Sequence, residues 1–277
     1  MSLGILTNVA ATYAENNLNQ TQNSLSKVLQ QLSSGSRINS GADDAAGLSV
    51  SDGLQANEAA LTQSAQNAQN GVGLLQTADG ALAQVTNLLD RAVTLATEAS
   101  NGGLTAAQST AADTEFQSIV TEIGNIGGQT NFNSTNVFSA TPTNFVVTDG
   151  TTAGTTTIAT TTGALSATSI GGVTFSAADK LTSTASAGTT LTDVTNAIAG
   201  ISAQRGTLGA GLNQLNAASN VASSEEVNLS SAQSSILSTN FGQATSDLAK
   251  FQVLNQTGIS ALAQANSTQQ EILKLLQ

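Results

Sequence analysis

Residues 61–100 read LTQSAQNAQNGVGLLQTADGALAQVTNLLDRAVTLATEAS, and this stretch decides the fold. Apolar residues recur in it at sevenfold spacing, and a second apolar line follows three positions after the first. On a helix with 3.6 residues per turn, such spacing keeps the side chains on one slowly drifting stripe. The two lines are Leu61, Ala68, Leu75, Leu82, Leu89 and Ala96, and Ala78, Val85, Ala92 and Ala99. They predict a helix over 57–100 with a coiled-coil seam.

A second seam at the same spacing lies near the other end of the chain. It consists of Ile201, Leu208, Leu215, Ala222, Leu229 and Ile236. Because an apolar stripe needs a partner, we expect the helix of 57–100 to pair antiparallel with a helix over 193–239. The predicted core seam of this rod is Leu61, Leu75, Leu82, Val85, Leu89, Ile201, Leu208, Leu215, Leu229 and Ile236.

A third helix is predicted for the same bundle. Its apolar residues are Phe116, Ile119, Val120, Ile123 and Ile126. It is expected to begin near Thr105 and to end at the glycine pair 127–128. Upstream of the first seam, the acidic pair Asp43 and Asp44 is interpreted as a helix N-terminus, because acids there accept from free backbone amides.

Both chain ends are predicted to be helical, but their apolar stripes are thinner. Helices so rich in Asn, Gln and Ser are marginal alone, because most helix stability comes from tertiary packing. We therefore expect these ends to become ordered only when neighbouring subunits cover them. The residues predicted to pack between subunits are Leu18, Leu25, Leu29, Leu32, Phe251, Leu262, Ile272 and Leu276.

Residues 140–189 differ in composition, with Thr, Gly, Ala and Ser predominating. Because Thr is β-branched, short strands in hairpins are predicted at 144–148, 155–159 and 172–175. A disordered linker is the alternative. The predicted fold class is mainly α: long antiparallel helices in a coiled-coil-like rod built from both chain ends, with a small β-rich insertion.

The composition removes most enzyme chemistry. The chain has no Cys, His or Trp, so it offers no imidazole base, thiolate nucleophile or soft-metal ligand. We accordingly predict no catalytic residues, no metal site and no cofactor. A net charge of -11 with seven scattered basic residues disfavours nucleic acid and anionic membranes as partners. The first residues lack the basic and apolar regions of a cleavable secretion signal.

Residues 30–51, QQLSSGSRINSGADDAAGLSVS, closely resemble a stretch near the N-terminus of bacterial flagellins. Three further stretches are similar to flagellins in the corresponding places: LTQSAQNAQNGVGLLQTADGAL at 61–82, GGQTNFNSTNVF at 127–138 and QTGISALAQANSTQQEILKLLQ at 256–277. The resemblance covers about residues 1–139 and 193–277.

This resemblance implies a domain plan and a function. Residues 1–42 with 240–277 would form a terminal polymerisation domain, 43–139 with 190–239 a helical rod domain, and 140–189 a variable insertion on the filament surface. The protein would be a structural subunit that assembles with itself into the extracellular flagellar filament for swimming. It would leave the cell unfolded through the flagellar type III system. An export chaperone, the filament cap and hook-associated proteins are the implied partners.

The resemblance also points to innate immune receptors. Flagellins that the animal Toll-like flagellin receptor recognises carry the same residue types as Arg91, Leu95 and Glu115 at the aligned positions. These three are therefore candidate receptor contacts. The alternative is that Arg91 pairs with a surface acid such as Asp90 or Glu98 at modest benefit.

Three other functions stay open from the sequence. A hook–filament junction protein shares the terminal pattern but would be scarce among proteins sheared from cells. An extracellular coiled-coil adhesin with a glycosylated tip would show an intact mass above the 27.6 kDa of the bare chain. An enzyme within the insertion is disfavoured, because no HExxH-like element is present.

Overall fold

The computed structural model describes residues 8–151 and 156–275, apart from the side chains of 272–275. Its helices are α1 (Val9–Ser34), α2 (Ala45–Ser100), α3 (Ala106–Gln129), α4 (Thr184–Leu237) and α5 (Phe241–Leu275). Its strands are β1 (Asn131–Phe132), β2 (Thr135–Asn136), β3 (Thr143–Val147), β4 (Thr156–Thr160), β5 (Ser169–Ile170) and β6 (Val173–Thr174). The predicted fold class, mainly α with small hairpins in the middle of the chain, is confirmed.

Capping side chains explain where the helices begin. Asp44 accepts a hydrogen bond from the amide of Gly47 at 2.8 Å, so α2 begins earlier than the predicted residue 57. Ser183 accepts from the amide of Ser186 at 3.2 Å, and α4 likewise begins earlier than predicted. Thr105 and Gln108 form a reciprocal capping box at the start of α3, which begins near Thr105 as predicted. Each cap satisfies amides that the first helical turn leaves unpaired.

The chain divides into two compact units: unit 1 comprises Met1–Gln55 and Asn228–Gln277, and unit 2 comprises Ala56–Val227. Unit 1 is built on an antiparallel contact between α1 and α5. The side-chain amide of Asn8 donates to the carbonyl of Ala265 at 2.9 Å. A methyl of Leu18 lies 3.2 Å from the place that a β-carbon on Gly258 would occupy, so this glycine lets the helices approach closely.

The core of unit 2 is formed by its three helical segments together. Phe116 and Ile123 of α3 pack in one cluster with leucines of the α2 and α4 seams. α2 and α4 approach closely at Leu75 and Gly211, where a β-carbon on the glycine would lie 3.1 Å from a methyl of the leucine. Both seams thus bury their apolar lines against each other, as an a/d stripe requires.

In the middle of the chain, the described residues form three separate antiparallel hairpins, β1–β2, β3–β4 and β5–β6. The predicted strands near 144–148, 155–159 and 172–175 correspond to β3, β4 and β6 with shifted ends. Apolar side chains of this segment enter the helical core: Ile158, Leu165, Ile170, Phe175 and Leu181 are all buried in it. The segment is therefore part of the folded core of unit 2. Its place on a filament surface stays a prediction.

Two close backbone contacts hold this segment against its helices. Gly171, with φ +59°, brings its carbonyl against Gly200 of α4, where a β-carbon would overlap it. Gly127 of α3 meets the carbonyl of Leu165 in the same way. At these positions any larger residue would push the chain off its helix.

Candidate assembly surface

The helices of unit 1 enclose few side chains. In the described parts of α1 and α5, only Val28 and Ala244 are buried. Within the described parts of α1 and α5, seven large apolar side chains are exposed instead, and they are here called the terminal apolar set: Val9, Tyr13, Leu29, Phe241, Val253, Leu254 and Ile259. Isolated exposed apolar residues are ordinary, but this many on one pair of helices makes the pair a candidate surface for another molecule to cover.

The residues predicted to pack between subunits take different positions in unit 1. Leu29 is exposed, whereas Leu18, Leu25, Leu32, Phe251 and Leu262 are partly buried. Leu18 lies against α5 and so contributes to the contact within the chain. The Ile272 side chain and Leu276 lie outside the described residues. Their role between subunits stays a prediction.

Six members of the terminal apolar set were missed by the sequence analysis. They lie off the stripe from which the prediction was made: Val9, Tyr13, Phe241, Val253, Leu254 and Ile259. The signal that could have found them is that α1 and α5 carry more apolar residues than one contact face can use. A helix that buries apolar residues on several faces needs several neighbours.

A short connector, residues 35–44, joins α1 to α2 and is fixed by charges and backbone bonds. The ammonium of Lys27 lies 2.8 Å from Asp43. The other carboxylate oxygen of Asp43 accepts from the amides of Asn39 and Ser40 at 3.2 and 3.1 Å. The hydrogen bond from Lys27, with that from the Asn39 amide, lowers the pKa of Asp43 to about 2.

Arg37 fastens the connector to the end of α4. Its guanidinium donates to the carbonyl of Ile236 at 2.9 Å and lies 3.7 Å from a carboxylate oxygen of Asp44. Beside it, Ser36 and Ser238 form an antiparallel bridge. The two links of unit 1, from α1 to α2 and from α4 to α5, are therefore held together by backbone hydrogen bonds.

The predicted core seam is buried over most of its length. Eight of its members are enclosed in unit 2: Leu61, Leu75, Leu82, Val85, Leu89, Ile201, Leu208 and Leu215. Leu229 and Ile236 are only partly buried and belong to unit 1, so the expectation that they are buried in the core seam is corrected, while their place in the rod domain stays a prediction. Sevenfold spacing reports that residues share a helix face, but burial also needs side chains opposite them.

Two of the candidate receptor contacts lie together on the surface of unit 2. The guanidinium of Arg91 donates to both carboxylate oxygens of Glu115, at 2.7 and 3.1 Å. This bidentate ion pair raises the pKa of Arg91 and lowers the pKa of Glu115, in each case mainly through the hydrogen bond between the two side chains. The partner of Arg91 is thus Glu115 on α3, not the acids of its own helix.

Leu95 is placed differently. It is only 3% exposed and packs in the helical core of unit 2. Its side chain is therefore unavailable to a receptor, which corrects its assignment as a candidate contact. The cause is that Leu95 precedes Ala96 of the heptad line and points into the same core.

A second pair of the same geometry was not foreseen from the sequence. Arg205 of α4 donates to both oxygens of Asp79 of α2, at 2.7 and 3.3 Å. The hydrogen bond that Arg205 donates to Asp79 raises the pKa of Arg205. The two residues are 126 positions apart, so no local pattern connects them.

Residues 5–143 match the model of the bacterial flagellin N-terminal helical region, and residues 191–276 match that of the C-terminal helical region. The chain belongs to the bacterial flagellin family. The flagellin of Halalkalibacterium halodurans is 32% identical over 270 residues, which are 97% of this chain and 98% of that protein. The flagellin of Listeria innocua is 28% identical over 98% of both chains. The crystal structure of Bacillus cereus flagellin aligns with a TM-score of 0.48 at 30% identity, covering 56% of this chain and 88% of that one.

Membership in the family establishes what this flagellin is. It is a structural subunit that polymerises with copies of itself into the bacterial flagellar filament, and it is not an enzyme. Within the described part of the chain, no helix is both long and apolar enough to cross a bilayer. The terminal apolar set is accordingly a candidate for contacts between subunits.

Proposed function

We propose that this flagellin polymerises through its chain ends into an extracellular filament that drives swimming. Residues 1–42 with 240–277 form the polymerisation domain, and 43–139 with 190–239 the helical rod. Residues 140–189 lie on the filament surface. The observation that carries the proposal is the terminal apolar set, because α1 and α5 leave these side chains uncovered.

The free energy of burying apolar surface also favours assembly through the chain ends. Burying apolar surface contributes about 25 cal/mol per Å², and a fully buried Val or Leu about 1.5–3 kcal/mol. Unit 2 already gains this stabilisation by burying its own apolar seams, whereas unit 1 encloses few side chains between α1 and α5. Its helices therefore gain most of their stabilisation from neighbouring copies. The predicted packing residues are proposed to contribute to the same contact surface, except Leu18, whose side chain already packs against α5.

We further propose that the subunit is exported unfolded by the flagellar type III system. Chain ends with small cores unfold at little cost, and the chain has no cysteine to cross-link during passage. Exposed apolar ends of this kind call for an export chaperone inside the cell. The filament cap and hook-associated proteins are the further proposed partners.

Terminal truncation tests the polymerisation proposal. Variants lacking residues 1–20 or 258–277 are expected to remain soluble and largely helical by circular dichroism, because unit 2 keeps its core. Neither is expected to form filaments in electron micrographs after heating and cooling, whereas the full chain is. Filaments from either truncated chain would refute the proposed role of the ends.

Recognition by an innate immune receptor is a second proposal, now limited to Arg91 and Glu115. Both side chains are about half exposed and are held in one geometry by their mutual hydrogen bonds. A cell reporter assay should respond to the wild-type monomer and lose signal with Arg91→Ala. The matched control is Arg205→Ala, which removes a surface ion pair of the same geometry in the same unit. An equal loss of reporter signal with both variants, or no reporter response to the wild-type monomer, would refute recognition through Arg91 and Glu115.

A further inference from the structure

The link between α2 and α3 contains the dipeptide Asn101-Gly102 in an unusual environment. Asn101 and Gly102 are both exposed, and Gly102 has a φ of +66°. The backbone amide of Asn101 donates to the carbonyl of Glu98 at 3.3 Å. Among the hydrogen bonds of the described residues, none involves the side chain of Asn101 or the backbone amide of Gly102. Both reacting groups of an Asn-Gly pair are therefore free.

We propose that Asn101 is a site of spontaneous deamidation. The backbone nitrogen of Gly102 loses its proton and attacks the side-chain carbonyl carbon of Asn101, forming a five-membered succinimide. The side-chain amide nitrogen leaves as ammonia after taking up a proton. Water then opens the ring at either carbonyl and yields aspartate or isoaspartate. Water is the only co-reactant, and the attacking nitrogen is unhindered because glycine has no β-carbon.

The chain carries a built-in comparison at Asn70-Gly71. This pair is the same dipeptide but lies inside α2, where the amide of Gly71 belongs to the helical hydrogen-bond ladder. Gly71 is also buried, with Leu215 and Phe145 against the place of a β-carbon. Ring closure there requires local opening of a packed helix, so structure and not sequence separates the two sites.

A turn alone is not enough to expose an attacking nitrogen. Asp149-Gly150 also lies in a turn, and Gly150 has a φ of +85°. Its amide, however, donates to the hydroxyl of Thr148 at 3.1 Å. Of these three Asx-Gly pairs, Asn101-Gly102 is thus the one that is exposed and whose glycine amide makes no hydrogen bond.

Conversion of Asn101 changes the end of α2. A new carboxylate lies just past the C-terminus of the helix, where the helix dipole is negative, and close to the acidic Glu98. Isoaspartate also lengthens the main chain in the link from 101 to 105. That link is close to α4, because a β-carbon on Gly102 would lie 3.5 Å from a methyl of Thr184. Deamidation is therefore expected to loosen the last turn of α2.

Peptide mapping of the aged full-length chain tests the site. Cleavage after glutamate places Asn101 in the peptide 99–115 and Asn70 in the peptide 59–98. After incubation of the folded protein at mildly alkaline pH, the acid forms of Asn101 are expected to accumulate at least about a hundredfold faster than those of Asn70. That ratio corresponds to about 2.7 kcal/mol of local opening, at 1.36 kcal/mol per tenfold.

Two controls make the result decisive. In denaturant, both Asn-Gly pairs should convert at similar rates, because a glycine follows the asparagine in each. In the folded variant Asn101→Gln, no acidic form of the peptide 99–115 should accumulate. Attack by the glycine nitrogen on the longer glutamine side chain would have to form a six-membered ring, which is slower than forming the five-membered succinimide. Equal rates at Asn70 and Asn101 in the folded chain, or an unchanged amide at Asn101 while denatured chain converts, would overturn the proposal.

Discussion

Replacing Val253 by Gln tests the proposed assembly surface most directly. Val253 is 65% exposed on α5, so this share of its side chain is available for burial by a neighbouring subunit. Full burial of a valine contributes about 1.5–3 kcal/mol, and the exposed share therefore about 1–2 kcal/mol. At 1.4 kcal/mol per tenfold, the critical concentration for polymerisation should rise by roughly 5- to 30-fold. Gln is the better helix former, so α5 itself is not weakened.

The assay is the concentration of unassembled subunit that remains after filaments are sedimented at steady state. Val227→Gln is the matched control, because Val227 is 67% exposed on α4 but belongs to unit 2. It is expected to change the critical concentration by less than about twofold, since surface substitutions usually have small effects. Circular dichroism should show the same helix content in both variants. An equal rise with both would show that the chain ends have no special share in assembly.

Four further substitutions test the fold. Leu82→Ala, at a fully buried seam position, should lower the free energy of unfolding, measured by urea titration, by about 3–5 kcal/mol. A loss below about 1 kcal/mol would contradict the burial of Leu82 in the core of unit 2. Gly200→Ala should lower the stability of the folded protein by about 1–3 kcal/mol, because its β-carbon would overlap the carbonyl of Gly171. Gly188→Ala on the same helix has open space around its β-carbon and should raise the stability by about 0.5–1 kcal/mol. Shifts of the melting temperature in the same direction for both variants would count against the contact between Gly200 and Gly171. Asp43→Asn should destabilise at neutral pH. Because the pKa of Asp43 is lowered from 3.8 to about 2, its stabilising contribution is fully present above pH 3.8 and is lost as the pH falls through about 2. A difference between the two melting temperatures that is as large at pH 2 as at neutral pH would rule this out.

The sequence predicts the helices of this flagellin well because their signals are local. Sevenfold apolar spacing identifies the buried faces of α2 and α4, and the buried leucines from Leu61 to Leu215 lie where it predicts. The capping pattern at Thr105 identifies the start of α3 for the same reason. A helix presents every seventh residue to the same side whatever surrounds it. Family membership is also readable from the sequence, since the motif at 30–51 is long and specific.

Pairings between distant parts of the chain were decided only by the tertiary structure. The burial of Leu95, the partial exposure of Leu229 and the partner of Arg91 each depend on what another element places opposite them. The same holds for Ile170 and Phe175, whose Thr-rich surroundings suggested a separate insertion but whose side chains complete the helical core. Periodicity fixes which residues share a face. Only packing in three dimensions fixes whether that face is covered, and it leaves the terminal apolar set uncovered within a single chain.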